Sequence, residues 1–90
     1  MPLQILSSPT ASTDVARDLG RAIADALPDA KIDVRALSPG HFEIRVESAS
    51  FEGLSRLRQQ QRVYAAIAPL MKGDAAPVHA IDRLQTSTPG

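Results

Sequence analysis

Two short runs of alternating residues, joined by a proline–glycine turn, restrict this chain more than any other feature. Ile32-Asp33-Val34-Arg35-Ala36 alternates apolar and charged side chains. The stretch from His41 to Ser48 alternates again, with Phe42, Ile44 and Val46 on one face and Glu43, Arg45 and Glu47 on the other. A period of two is the mark of a half-buried strand. Between the runs, Ser38-Pro39-Gly40 is turn chemistry. Together they predict an antiparallel hairpin with one apolar face that another element must cover.

Sequence on both sides supplies that cover. Upstream, Val15, Leu19, Ile23, Ala26 and Leu27 recur at helical spacing, while Arg17, Asp18, Arg21 and Asp25 fall on the other faces. Ser12 or Thr13 can cap this helix, Asp14 sits near its positive end, and Pro28 stops it, so the spacing predicts a helix over 13–27. Downstream, Phe51 to Leu54 reads as a connection in which Gly53 supplies a backbone conformation other residues resist. The helical period returns from about Ser55 through Leu57, Val63, Ile67, Leu70 and Met71. Its register is irregular from 57 to 63, which predicts a short helix or turn before a longer one, and Gly73-Asp74 ends it. Pro77 leads into a final strand over 78–86 with a mixed pattern. Val78, Ala80 and Leu84 share one face with Asp82, and His79 and Ile81 share the other with Arg83.

The order α-β-β-α(α)-β predicts an α+β domain, a three-stranded sheet with helices on one face. Residues 1–11, with two prolines and several small polar residues, read as a flexible lead-in to a domain over 12–88. Ninety residues make one such domain.

Composition removes several classes of function. Ten basic and ten acidic residues cancel, which argues against a chain devoted to non-specific nucleic-acid binding. There is no cysteine, so this chain offers neither a thiolate ligand nor a cysteine nucleophile. No glycine-rich phosphate loop and no elbow-type serine motif is present, and an enzyme is not expected. No apolar run approaches the ~20 residues of a membrane-spanning helix, and the N-terminus lacks a secretory pattern. The expectation is a cytoplasmic protein with no membrane contact.

Few residues are left to carry chemistry. His79 begins the final strand. Read alone it is a partly buried histidine hydrogen-bonded to neighbouring backbone, or a metal ligand whose second ring nitrogen is fixed by a hydrogen bond. His41 reads as a strand-edge histidine on the solvent face, opposite Phe42. Between Ser55 and Lys72 stand four basic residues, Arg56, Arg58, Arg62 and Lys72, and no acidic one. They form a solvated helix face or a set of phosphate contacts, with Gln59, Gln60 and Gln61 able to reach base edges. Phe51 and Tyr64 read as core or rim residues rather than stacking platforms.

Phe51-Glu52-Gly53, Ser55-Arg56 and Arg62-Val63-Tyr64 lie at fixed spacings between a strand and a helix, followed by Val78-His79-Ala80, Thr86 and Pro89. This combined pattern, from about Ile32 to Pro89, resembles the BolA family, most of all its short-loop branch. The resemblance implies a type II KH-like fold. It also implies that His79 is a ligand to a 2Fe–2S cluster shared with a monothiol glutaredoxin, in cluster binding, transfer or iron-linked regulation. The glutaredoxin and glutathione would bring the thiolates this chain lacks, and the chain alone, a monomer or weak dimer, would hold no cofactor tightly. The Phe51–Tyr64 region would form part of the docking surface.

The sequence departs from the family at one place. Many relatives carry a second histidine or cysteine in a longer loop between the first two strands. Here Leu37-Ser38-Pro39-Gly40 has neither, which leaves His41 as the nearby candidate. BolA proteins have also been viewed as transcriptional regulators of the stress or morphology type. On that alternative, the helix–turn–helix-like region 54–72 would bind DNA through Arg56, Arg58, Arg62 and Lys72. The Gly-x-x-Gly loop of nucleic-acid-binding KH domains is missing, and Leu54-Ser55-Arg56-Leu57 stands in its place. With zero net charge as well, the glutaredoxin-partner reading is preferred.

Overall fold

A computed structural model describes the backbone of residues 7–73 and 76–90 and the side chains from residue 12 onward within those ranges. Its elements are helix α1 (Ser7–Ala26), strands β1 (Lys31–Ser38) and β2 (His41–Glu47), a 3-10 turn (Ala49–Phe51), helix α2 (Arg56–Met71) and strand β3 (Ala80–Ser87). Of the lead-in expected at 1–11, residues 1–6 lie outside the described residues, as does Asp74 of the expected helix stop.

The helix of the N-terminal half starts at Ser7, ahead of the residue 13 that the spacing predicts. Pro9 is compatible with this, because N–H groups in a first helical turn have no acceptor within the helix. Its end follows the prediction: α1 closes at Ala26 ahead of Pro28, and the Leu27 N–H still donates to the Ile23 carbonyl at 2.8 Å. Leu19 and Ile23 are fully buried and Leu27 nearly so.

The hairpin forms as the alternation requires. β1 and β2 pair antiparallel, with Ile32 opposite Val46, Val34 opposite Ile44 and Ala36 opposite Phe42. Phe42, Ile44 and Val46 point into the core, while Ile32 and Val34 pack against its margin. β3 then joins the far side of β2 in the parallel direction, so the sheet order is β1-β2-β3 and the pairing is mixed. Parallel neighbours need a long crossover, and the 3-10 turn with α2 is that connection. Both helices lie over the face carrying Phe42, Ile44 and Val46; the core adds Phe51, Val63, Ile67 and Val78. Each such buried side chain contributes on the order of 1.5–3 kcal/mol.

The register of β3 slips by one residue. Phe42 faces Ile81, but Glu43 faces Arg83, so Asp82 is an extra residue without a partner on β2. This bulge explains the mixed pattern in the sequence. It puts Ile81 and Leu84, three residues apart, in register with the core residues Phe42 and Ile44, which a regular strand could not do.

α2 also differs from its prediction. It is continuous from Arg56, and a short 3-10 turn at 49–51 precedes it. The irregular register from 57 to 63 has a simple cause: Leu57 is 64% exposed and does not belong to the buried stripe of Val63 and Ile67. Ser55 caps the helix, its Oγ accepting the Arg58 N–H at 3.2 Å.

The type II KH-like assignment does not hold for this topology. The described fold is a three-stranded mixed sheet with two α-helices. The segment Leu54–Leu57, placed where a Gly-x-x-Gly loop would stand, is instead a serine-capped helix start.

Candidate functional site

The turn between β1 and β2 is where the two histidines come together. Gly40 sits at its end with φ +80°, a conformation that L side chains rarely adopt. Its carbonyl accepts two hydrogen bonds from the start of β3, from the His79 N–H at 2.8 Å and the Ala80 N–H at 3.1 Å. The backbone of His79 is therefore tied to the turn. Its imidazole lies over the bare Cα of Gly40, and a Cβ at position 40 would stand 2.8 Å from both Cγ and Nδ1 of the ring. Glycine is thus required twice, for its backbone angle and for the space the ring occupies. His79 itself is exposed. It is not the partly buried histidine expected from the residue alone; its bond to neighbouring backbone is made by the main chain.

His41 is the first residue of β2 and pairs with Ala80. Alternation along β2 places it opposite Phe42, on the face the helices leave open. Its Nδ1 is 3.0 Å from Oδ1 of Asp82, the bulge residue, with the side chains 41% and 44% exposed. Asp82 was not singled out by the sequence reading. Its signal was there as the failed alternation of the last strand, although that pattern does not reveal which residue is displaced or what it meets.

Among its described residues this chain does not close a metal site by itself. It has no cysteine, and among the described residues no group of three or more His, Cys, Asp or Glu could hold an ion. The residues present do fit a nitrogen-donor role toward a shared iron–sulfur cluster, because an exposed imidazole is seated in a cradle that any Cβ would fill. None of the described helices is long and apolar enough to cross a membrane.

The basic residues of α2 do not make one surface. Arg56 lines a groove at the ends of the strands, beside Lys31, Asp33 and Glu47. Arg58 and Arg62 instead line a shallow groove with Ala26 and Ala66, between the two helices. Lys72 follows the other end of a 16-residue helix, about 24 Å from Arg56 along the axis. Gln59, read as a residue that could reach bases, is occupied. Its amide donates to the Leu54 carbonyl at 3.0 Å, and its Oε1 accepts from Thr86 Oγ1 at 2.7 Å. The expected DNA-binding, transcription-regulating region therefore lacks a common face, and that reading is set aside. Phe51 is fully buried and belongs to the core, whereas Tyr64 is 40% exposed and is a rim residue.

Comparison with known proteins agrees with this geometry. A family model described as BolA-like protein matches residues 24–90. Human BolA-like protein 1 is 44% identical over 57 residues, 60% of this chain and 39% of that protein, so the chain spans about two-fifths of the length of this curated relative. A bolA protein homologue from Coxiella burnetii superposes with a TM-score of 0.66 at 30% identity, covering 81% of this chain and 88% of that one. BolA1 from Arabidopsis thaliana superposes with a TM-score of 0.70 over 82% of this chain and 90% of that one; at 19% identity it speaks to the fold alone. The topology is that of these BolA structures, which is the second ground for withdrawing the KH-like label.

Proposed function

Taking as premise that this chain belongs to the BolA family, which the match over residues 24–90 shows, we propose that it partners a monothiol glutaredoxin in binding or passing on a 2Fe–2S cluster, or in iron-linked regulation. The observation that supports this most is the setting of His79. Its main chain is pinned by the Gly40 carbonyl, its ring is seated on Gly40, and the imidazole stays exposed at the open end of the sheet.

His79 is the primary nitrogen donor in this reading and His41 the second. A neutral imidazole offers one lone pair, and the pinned backbone of His79 reduces the entropy lost when that lone pair is engaged. The thiolates come from the glutaredoxin and glutathione. When bound, the cluster supplies a one-electron couple whose potential histidine ligation raises relative to ligation by thiolates alone. The partner docks beside the histidines and on the exposed part of the Phe51–Tyr64 region, where Leu57 and Tyr64 present apolar surface.

The test is a titration of this protein into a monothiol glutaredoxin loaded with a 2Fe–2S cluster, followed by visible circular dichroism and size-exclusion chromatography. A one-to-one complex with a changed cluster spectrum is expected, and the spectral change should be lost in His79→Ala. An unchanged spectrum with no complex would overturn the proposal.

A further inference from the structure

We propose that Asp82 is a positioning residue that holds His41 in a single tautomer, with Nδ1 protonated and the lone pair on Nε2, making His41 the second nitrogen donor; this rests on the cluster-partner reading above. A carboxylate oxygen accepts hydrogen bonds and has none to donate, so the imidazole nitrogen 3.0 Å from Asp82 Oδ1 carries the proton. In a neutral ring the remaining lone pair then resides on Nε2. A carboxylate orienting a histidine through its other nitrogen is the arrangement that fixes metal-ligating imidazoles and raises their basicity.

The bulge in β3 creates this contact. In a regular register Asp82 would stand opposite Glu43, two carboxylates side by side on one face. Instead the extra residue moves Arg83 opposite Glu43 and leaves Asp82 without a backbone partner, free to meet His41. Bulges re-aim side chains in this way. A substitution for the missing loop ligand follows. The β1–β2 connection holds no histidine or cysteine, but the residue immediately after Gly40 is His41, and Gly40 itself anchors His79. Both imidazoles are thus referred to consecutive residues of one turn, one through a backbone hydrogen bond and the other through the chain.

The test has two readouts on the full chain. Long-range 1H–15N correlation spectra of the purified protein report the His41 tautomer directly. The form with the proton on Nδ1 should dominate, lose its dominance in Asp82→Ala, and be largely restored in Asp82→Asn, which keeps an accepting oxygen. The second readout uses the cluster-loaded monothiol glutaredoxin as probe. Asp82→Ala should change the visible circular dichroism of the complex and release the cluster roughly 10–100-fold more readily, matching His41→Ala in direction. Because Asp82 is half exposed, the urea midpoint should stay near that of the wild type, which separates positioning from folding. A wild-type His41 with its proton on Nε2 would overturn the inference. So would an Asp82→Ala complex with unchanged spectrum and cluster lifetime; if His79→Ala still abolished the cluster signal, the function proposed above would stand without it. No complex with any form of the chain would remove both.

Discussion

The two ends of the sheet are built from similar residue types and use them differently. At the end where β2 finishes, Asp29 and Ser48 are committed to holding backbone. Asp29 accepts from Ser48 Oγ and from the Ala49 N–H, both at 2.8 Å, and Ser48 Oγ in turn accepts the Ser50 N–H at 3.0 Å. The Ser48 N–H donates to the Ser87 carbonyl, and Phe51 is driven fully into the core just beyond. At the end where β2 begins, the backbone of His79 is fixed but its imidazole is exposed, and His41 makes one contact through one of its two ring nitrogens. One end uses Asp29 and Ser48 to hold the 3-10 turn in place. The other holds its backbone and leaves the His79 imidazole exposed and that of His41 half-exposed.

The sharpest way to break this contrast is Phe51→Ala. It should cost about 3–5 kcal/mol by urea unfolding, the usual range for emptying a buried aromatic site, while leaving the His79 ring resonances in place. A loss below about 1 kcal/mol would show that this end is not the structural one. Gly40→Ala comes next. A positive φ imposed on a side chain, with its Cβ against the His79 ring, should cost about 1–3 kcal/mol. It should also shift the His79 imidazole signals; an unchanged midpoint and unmoved signals would mean the ring is not seated on Gly40 in solution.

The smallest effect belongs to Asp29. Hydrogen bonds from the Ala49 N–H first, and then from the Ser48 hydroxyl, hold its carboxyl below the ordinary value of 3.8. A depressed folded-state pKa means the ionised carboxylate stabilises the fold above about pH 3.8, and that this contribution fades as pH falls through the folded value. Asp29→Asn should therefore unfold earlier than wild type in urea at neutral pH, and the gap should close on acidification. A gap that persists at low pH would assign the effect to shape rather than charge.

Much of the frame was readable residue by residue. Ile32 to Ala36 and His41 to Ser48 declared the hairpin, because a period of two has one physical solution when one face must be buried. Leu19, Ile23 and Leu27 declared the core face of α1 for the same reason. Gly53, with φ +80°, has the backbone conformation its residue type suggested. The site was less legible. His79 stood out through its place in the Val-His-Ala pattern, but whether its ring was buried depended on Gly40, 39 positions away in the chain. Asp29 and Ser48 are separated by 19 positions, and neither carries a local signal that it will meet the other.

What the sequence by itself determined, then, is what short-range chemistry can encode: helix and strand periods, the proline–glycine turn, and the lack of any thiolate. Tertiary structure decided the parallel direction of β3, the bulge at Asp82, and hence the pairing of Asp82 with His41. An alternating pattern reads the same in either direction. The crossover through α2 sets the direction of β3, and the demand that Ile81 and Leu84 both reach the core displaces one residue. That displaced residue is the carboxylate beside His41.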